Sequence, residues 1–469
     1  MYQVDFLQET RVETRWGCPA CGVFSAHVGV RVNTGIVELG ELELAQCDGC
    51  DSWYYLGENT VVGYRDDTIE PKYWMHYVQV GAGIDAMLRP IMAIGGRAHG
   101  TFLDVGCGFG FVPDFWSRSG RGPAIGLEAA AYGKVGKRLL GANIHHEYLA
   151  DCDAVKGSVF DIVYSSEVIE HVQDPRGFIQ ELGNALAPEG MLILTTPSAS
   201  CVKKDFEPSK LQAALSPGFH YFLLSSERLR QLLMEAGFGY CFVEDNGERL
   251  TAWASRVPFA APDLKSFDWN EYFVYLEMLT ERDDPHLRGG ALYRLFKDSM
   301  NTAHMDLAAK AFPRLEYTAK TVYGIDLIFP NIGEALQVHG FLDFLDRYPA
   351  WLGGALLFSG IYAGNELRDP QRKLRLLEAS THMLKHDMKI GFQFAQEAAA
   401  FLPVATFNYR IALAELLSAE VPRGLDREVP DEYSRPSKKQ VENFRRRIVD
   451  LAKMIKSQSK DRFLFGGNI

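Results

Sequence analysis

Four cysteines near the start of the sequence have the spacing of a metal site. Cys18 and Cys21 form one C-x2-C pair, and Cys47 and Cys50 form a second pair 25 residues later. Each pair can hold two thiolates on one turn, and two facing turns make a tetrahedral S4 site that suits zinc. Four cysteine ligands leave no open position, so the predicted role is structural. Two disulfides or a redox C-x2-C are the alternatives.

The segment between the cysteine pairs alternates apolar and polar residues on both sides of Asn33-Thr34-Gly35. This pattern predicts two strands joined by a turn, as in a zinc ribbon. We therefore assign residues 1–60 to a zinc-ribbon module.

A second candidate site begins with FLDVGCGFG, residues 102–110, where three glycines follow a short apolar run. The run predicts a strand that enters a nucleotide-binding loop. A dinucleotide loop has the form G-x-G-x-x-G, but Phe111 occupies the position of its third glycine, which opposes a nicotinamide enzyme. Asp104 precedes the loop. Glu128 ends the next predicted strand, where a carboxylate can accept hydrogen bonds from both hydroxyls of a ribose and disfavours a 2′-phosphate.

The elements around this loop must position it. Over residues 98–256, short β-rich runs such as PAIGLE, FDIVYSS and GMLILTTP alternate with helical stretches such as DPRGFIQELGNAL. Alternation of this kind predicts an α/β fold with a doubly wound, Rossmann-like, mainly parallel sheet. Ligands of such sheets bind beyond the carboxyl ends of the strands.

FLDVGCGFG, GLE, FDIVYSSEVIEHVQDP and LAPEGMLILTTPS together resemble a class I S-adenosylmethionine-dependent methyltransferase, in the subgroup with an E-V-[IL]-E-H-V segment after the fourth strand. The resemblance covers about residues 98 to 250 and implies S-adenosylmethionine as cofactor. It implies that Asp104 and the loop bind the methionine part and that Glu128 holds the ribose. Adenine contacts stay open among Leu149, Ala150 and Asp151. The implied loop and strand-end residues are Gly106, Cys107, Gly108 and Gly110, with Ser165, Ser166 and Glu167 lining the cofactor.

The acceptor side needs a nucleophile aligned with the sulfonium methyl, because the transfer is an in-line displacement. A hydroxyl acceptor also benefits from a general base or a metal. Glu170 and His171 follow the fourth strand, and His220 and Tyr221 follow the fifth. His220 is the preferred base, since an unperturbed imidazole titrates near neutral pH. The alternatives are that residues 219–222 only pack, and that His171 lies beside the cofactor without a chemical role.

The second half of the chain has a different character. Residues 268–420 show apolar positions three or four apart, which predicts an all-α domain for substrate recognition or assembly. Residues 61–97 are predicted to form a helical connector or lid. Residues 437–469 are predicted to form a basic helix and tail that docks onto this protein or onto a second copy, the latter giving a homo-oligomer. The alternatives are that its basic face contacts a membrane surface or a phosphate-bearing substrate.

The composition limits the classes of function. A net charge of -11 gives no broad attraction to nucleic acid. The sequence has no apolar run of about 18 residues and no signal-peptide pattern, so we expect a cytoplasmic protein. The predicted function is O-methylation of a carbohydrate or other small-molecule hydroxyl. A sugar C-methyltransferase and a non-catalytic, cofactor-binding scaffold are the alternatives.

Overall fold

An antiparallel sheet at the start of the chain surrounds the two cysteine pairs. The computed structural model describes residues 3–34, 39–57, 61, 75–80, 83–391 and 396–419. The first strands are β1 (Gln3–Glu13), β2 (Ser25–Asn33), β3 (Glu41–Cys47) and β4 (Trp53–Tyr55), hydrogen-bonded in that order. Strands β2 and β3 confirm the predicted strand–turn–strand pattern, whereas no sequence pattern predicts β1. Gly35, in the predicted turn, lies outside the described residues.

Two short helices follow in the predicted connector, α1 (Met75–Val80) and α2 (Ile84–Met92). The next elements alternate strands and helices as the sequence predicts. They are β5 (Phe102–Val105), α3 (Phe111–Arg118), β6 (Ala124–Leu127), α4 (Ala131–Leu140), β7 (Ile144–His145), β8 (Phe160–Ser166), α5 (Pro175–Asn184), β9 (Leu186–Pro197), α6 (Pro208–Leu215), β10 (Phe222–Leu223), α7 (Ser226–Glu235), β11 (Tyr240–Asp245) and β12 (Arg249–Ser255).

Seven of these strands form one sheet in the order β11-β12-β9-β8-β5-β6-β7. Strand β5 pairs in parallel with β6 on one side and with β8 on the other, and only β12 runs antiparallel to its neighbours. The chain therefore reverses its direction of winding between β5 and β8. A switch point of this kind opens a crevice at the carboxyl ends of the two strands, where ligands of doubly wound sheets bind. The predicted Rossmann-like sheet is confirmed.

Helices make up the remaining described chain, as the sequence predicts. They are α8 (Trp269–Thr280), α9 (Pro285–Asn301), α10 (Met305–Tyr323), α11 (Phe341–Arg347), α12 (Leu352–Asn365), α13 (Pro370–Ile390) and α14 (Gln396–Ala419). The run that reads as one helix from 289 to 312 is split into α9 and α10, because Ala303 adopts a left-handed backbone with φ 62°. Residues Met1–Leu416 form one compact unit. The predicted basic helix at 437–469 lies outside the described residues.

One strand from the part of the chain that forms the seven-stranded sheet belongs to the N-terminal sheet instead. Strand β10, from the region between β9 and α7, pairs antiparallel with β4 and completes the N-terminal sheet as its fifth strand. Residues 219–222 thus lead into a strand, which the sequence did not predict. Among the described helices none is long and apolar enough to cross a membrane.

A buried network of charges ties α2, α8 and α9 together. Arg294 on α9 is 5% exposed and contacts Asp85 on α2. Its Nε lies 3.2 Å from Asp298 Oδ2, and Tyr272 on α8 donates its hydroxyl to the same oxygen at 2.7 Å. Lys297 Nζ lies 2.7 Å from the other oxygen of Asp298. Removing the guanidinium would leave buried carboxylates without their main counter-charge.

Arg294→Met should therefore lower the free energy of unfolding by about 3 kcal/mol, since it breaks a buried ion pair from one side. Arg314→Met is the matched control, because Arg314 pairs with Glu281 where the two side chains are 42% and 75% exposed. Such exposed pairs contribute at most about 1 kcal/mol. Urea unfolding of both variants measures the difference. Equal losses would show that the buried network adds nothing to stability.

Candidate active site

The glycine loop after β5 turns sharply, and its glycines are required for the turn. Gly106, Gly108 and Gly110 have φ values of 79°, 58° and 82°, in the region that disfavours other residues. A Cβ on Gly106 would lie 2.3 Å from a methyl group of Val168, and one on Gly110 would lie 2.3 Å from Ile144. The loop therefore packs directly against the segment that follows β8. This contact brings two predicted groups of site residues together.

The N–H groups of the loop are largely used within the protein. Gly106 and Cys107 both donate to the carbonyl of Leu127, at 2.8 and 2.9 Å. Gly108 donates to Glu128 Oε2 at 2.9 Å, and Gly110 donates to the carbonyl of Cys107 at 2.9 Å. These bonds hold the loop in place against β6. The predicted binding of the methionine part through these N–H groups stays a prediction.

Two acids are buried beside this loop. Asp104 at the end of β5 is 2% exposed, and its Oδ1 lacks a hydrogen-bond partner among the described residues. Burial and the nearby charge of Glu128 raise its pKa well above the ordinary value. Glu128 is 8% exposed and accepts hydrogen bonds from the N–H groups of Gly108 and Ala130. Burial raises the pKa of Glu128 to about 7, against the lowering effect of those bonds. A site with two such acids favours a cationic ligand.

The end of β8 supplies the other residues predicted to line the cofactor. Ser165 donates its hydroxyl to the carbonyl of Val105, and Ser166 shares a hydrogen bond with Thr195 on β9. Glu167 has a left-handed backbone, with φ 57°, and accepts a hydrogen bond from Thr195 at 2.9 Å. Its Oε1 also lies 3.1 Å from Arg249 Nε. Non-glycine residues rarely adopt this conformation, and where they do the site is often functional.

Three predicted acceptor-side residues converge next to Glu167. A short 3-10 turn, Ile169–His171, carries Glu170 and His171, and His220 approaches from the loop after α6. The imidazoles of His171 and His220 pack edge to face, with ring centroids 4.6 Å apart. Their Nε2 atoms lie 3.8 and 4.0 Å from Glu170 Oε1. Candidate ligand atoms of the three side chains all lie within 4.8 Å of one another. We call these three residues the Glu–His–His cluster.

The backbone fixes the tautomer of both imidazoles. His171 Nδ1 contacts the carbonyl of Phe219 at 2.9 Å, and His220 Nδ1 contacts the carbonyl of Ala214 at 2.8 Å. A carbonyl only accepts, so each Nδ1 must carry the proton and each Nε2 must be the ring's acceptor. Burial lowers the pKa of His171 to about 4 and that of His220 well below its ordinary value. Both rings are therefore neutral at neutral pH.

Tyr221 is placed at the edge of this cluster by the N-terminal sheet. Its N–H donates to the carbonyl of Glu170 at 2.8 Å, and its carbonyl accepts from the N–H of Tyr55 on β4 at 3.1 Å. Its hydroxyl accepts from Gln173 at 3.0 Å and not from any residue of the Glu–His–His cluster. Tyr221 thus joins the two sheets to the site.

The four predicted metal-ligand cysteines meet as the spacing predicts. All four are free thiols, with Cys18 Sγ 3.7 Å from Cys50 Sγ and Cys21 Sγ 3.4 Å from Cys47 Sγ. These separations are far longer than a disulfide bond and close to the sulfur–sulfur spacing in tetrahedral zinc sites, about 3.8 Å. The donor set and its spacing therefore fit zinc.

Several residues of the site have no signal in the sequence pattern. Thr196, at the end of β9, donates to Glu170 Oε2 at 2.9 Å. Thr195 and Arg249 hold Glu167. Half-buried Tyr77 on α1 lies close enough for the charge of Glu167 to add to the raised pKa of the tyrosine. The only sequence feature that could have pointed to Thr195 and Thr196 as site residues is their position near the end of a predicted strand. Arg249 and Tyr77 come from distant parts of the chain.

Comparisons with known proteins give the class of this region. Residues 76–240 match the family model of a methyltransferase domain. Over 184 residues the chain is 30% identical to a probable S-adenosylmethionine-dependent methyltransferase of Mycolicibacterium smegmatis, a match that covers 39% of this chain and 64% of that protein. Over 105 residues it is 31% identical to a ubiquinone biosynthesis O-methyltransferase of Parvibaculum lavamentivorans, covering 20% of this chain and 39% of the relative.

The chain thus spans less than two thirds of the length of these relatives. An O-methyltransferase family protein of Burkholderia thailandensis, a solved structure, is 15% identical with a TM-score of 0.34, and the match covers 41% of this chain and 61% of that one. The family match confirms the predicted resemblance to a methyltransferase for residues 76–240. It includes neither the cysteine module nor helices α8 to α14.

The raised pKa of Glu128 makes a prediction about pH. A carboxyl whose folded pKa is about 7 binds a proton more tightly in the folded than in the unfolded chain. Stability from this group is therefore lost as the pH rises from about 4.5 through 7. The unfolding free energy of Glu128→Gln minus that of the wild-type protein should therefore increase by roughly 2 kcal/mol when the pH is raised from 5 to 8. Urea unfolding of the ligand-free proteins at both pH values measures this difference. Exposed Glu189→Gln is the control, and a pH-independent difference for Glu128→Gln would contradict the prediction.

Proposed function

We propose that this protein is an S-adenosylmethionine-dependent methyltransferase that O-methylates a small-molecule hydroxyl. The observation that carries the proposal is the buried Asp104 carboxylate beside the glycine loop, at the switch point of the sheet, whose Oδ1 lacks a hydrogen-bond partner among the described residues. A buried carboxylate of this kind stays ionised only with a cationic partner. The methyltransferase family match and the relatives support the same cofactor.

The residues present fit S-adenosylmethionine. Asp104 can hold the ammonium group of its methionine part, and each oxygen of Glu128 keeps a second lone pair for a ribose hydroxyl. Gly108, where a Cβ would have a single heavy atom of the described residues within 4 Å, leaves the loop backbone open to a ligand at that point. When bound, S-adenosylmethionine supplies a methyl group already activated by its sulfonium. The protein then has to exclude water and hold the acceptor in line with the bond that breaks.

The Glu–His–His cluster is the proposed place for the acceptor hydroxyl. Glu170 and His171 lie on the turn that follows β8, and Val168 at the start of this turn packs against Gly106 of the glycine loop, so the cluster adjoins the proposed cofactor site. His220 and His171 present neutral acceptor nitrogens, to which a hydroxyl can donate its proton. The low pKa of His220 makes it a weak base on its own, so the hydroxyl must be made more acidic by its surroundings.

A carbohydrate hydroxyl is the acceptor class that we propose first, on the analogy of the zinc-ribbon layout. Polar groups around the cluster, Gln173, Tyr221 and Arg249, support an acceptor that carries several hydroxyls. The ubiquinone biosynthesis relatives instead point to a phenolic hydroxyl. Methylation assays on a metabolite and glycan extract, read by mass spectrometry, separate the two classes. Methylation at carbon would favour the sugar C-methyltransferase alternative.

We further propose that the four cysteines hold a structural zinc ion. The zinc would fix the turns that carry the cysteines, which cannot bury enough apolar surface to hold themselves. One of these turns is bonded to the N-terminus of α7, where Ser225 donates to the carbonyl of Cys50 at 2.6 Å. Loss of zinc should therefore loosen the segment that leads back to His220.

Asp104→Asn should weaken S-adenosylmethionine binding at least tenfold, because an amide cannot neutralise the ammonium group of the cofactor. Titration calorimetry on the full chain measures the dissociation constant. Asp153→Asn is the control, since its side chain is 94% exposed. No binding by the wild-type protein would contradict the proposal, and binding without any methyl transfer would support the scaffold alternative. Binding of NAD in place of S-adenosylmethionine would revive the nicotinamide enzyme.

Cys47→Ser should remove most of the zinc from the purified protein and lower its melting temperature, since one of four ligands is lost. Elemental analysis and thermal unfolding give the two readouts. Cys241→Ser is matched to it, because Cys241 is also a free thiol but lies outside the cysteine cluster. A wild-type protein that carries no zinc, or equal zinc in both variants, would refute the zinc site.

A further inference from the structure

We propose that the Glu–His–His cluster binds a divalent transition-metal ion through Glu170 Oε1 and the Nε2 atoms of His171 and His220. The role of the ion towards the acceptor rests on the proposed function, whereas the binding of the ion does not. The first support is the donor set. Two imidazole nitrogens and one carboxylate oxygen form a ligand set used by iron, zinc and related divalent ions.

The second support is the unmet oxygen of Glu170. The residue is 0% exposed, and Oε1 has no hydrogen-bond partner among the described residues, while Oε2 accepts from Thr196. A proton on Oε1 would need an acceptor within about 3.5 Å. The two imidazole nitrogens lie beyond that limit, at 3.8 and 4.0 Å. A shared proton therefore does not explain the arrangement, and a larger cation between the three atoms does.

The third support is the way the imidazoles are held. Each Nδ1–H donates to a backbone carbonyl, which turns each Nε2 lone pair towards Glu170. This arrangement is the usual outer shell of a metal-binding histidine, because it fixes the tautomer and the direction of the ring. Thr196 does the same for the carboxylate. All three proposed ligands thus have an outer shell already in place.

The distances leave room for an ion. Glu170 Oε1 lies 3.8 and 4.0 Å from the two Nε2 atoms, so an ion midway between the oxygen and either nitrogen would lie about 2 Å from both atoms. A shift of a few tenths of an ångström would give all three atoms ordinary bond lengths of about 2.0–2.2 Å. Three protein ligands leave further coordination positions for a small molecule.

With an ion bound, the Nε2 atoms of His171 and His220 would be its ligands and would no longer accept the proton of the hydroxyl. A divalent cation lowers the pKa of a hydroxyl that binds to it. The acceptor oxygen would then lose its proton to water and attack the methyl carbon. The new oxygen–carbon bond forms as the sulfur–carbon bond breaks, which leaves a methyl ether and S-adenosylhomocysteine. Glu170 is the only acid among the three ligands, so a divalent ion together with its three protein ligands would carry one net positive charge.

The test is binding of Mn²⁺ to the full chain, with the free ion counted by electron paramagnetic resonance. Mn²⁺ prefers oxygen and nitrogen donors to thiolates, and any ion held by the cysteines binds wild type and variants alike. We expect the wild-type protein to bind one Mn²⁺. Binding of this ion should be lost, or its affinity should fall at least tenfold, in His171→Asn, His220→Asn and Glu170→Gln. His99→Asn, at an exposed histidine outside the cluster, should bind as the wild type does.

Circular dichroism and S-adenosylmethionine affinity show whether each variant still folds. Thr196→Val keeps all three ligands and should weaken Mn²⁺ about tenfold, because only the orientation of Glu170 is lost. The proposal is overturned if the wild-type protein binds no Mn²⁺, which is the result expected if water alone fills the cluster. It is also overturned if folded variants of the three ligands bind Mn²⁺ as tightly as the wild-type protein does. Failure of S-adenosylmethionine to bind would refute the proposed function, whereas the measured number of bound Mn²⁺ ions would still test the metal site.

Discussion

Burial of three carboxylates at one edge of the sheet is the constraint on which the rest of the site depends. Asp104, Glu128 and Glu170 are each less than a tenth exposed, and each lies in or after a strand near the switch point. Taking an ionised carboxylate out of water costs several kcal/mol unless donors or counter-charges replace the water. Donors are supplied to Glu128 and to one oxygen of Glu170, but the described residues supply none to Asp104 Oδ1 or Glu170 Oε1. These two oxygens without a hydrogen-bond partner mark the proposed places of the cofactor and the metal ion.

The cysteine module is part of this same arrangement. Strand β4 pairs with β10, and the residues between β10 and α6 carry His220 and Tyr221. The N-terminus of α7 is bonded to both cysteine turns, through Ser225 to Cys50 and through Arg228 to the carbonyl of Ala20. The loop that brings His220 to Glu170 is therefore held from one side by the methyltransferase sheet and from the other by the cysteine turns.

The parts that the sequence predicts are those set by local pattern. Strands β5 to β9 follow from short apolar runs, and the glycine loop with Asp104 and Glu128 follows from spacing within 30 residues. The pairing of β4 with β10 has no such signal, because a two-residue strand has no periodicity and its partner is about 170 residues away. Likewise, the tautomers of His171 and His220 depend on carbonyls that only the fold brings near. The break between α9 and α10 at Ala303 contains neither glycine nor proline.

The same pairing has a consequence for how the chain is made. During synthesis, residues 3–55 leave the ribosome well before residues 222–223, so the edge of β4 has no partner while most of the methyltransferase sheet is still being built. Unpaired strand edges promote association between chains, and contacts so distant in sequence form slowly. The closing of the cysteine turns is local by comparison. Early metal uptake would keep the exposed edge in a folded form until its partner strand arrives.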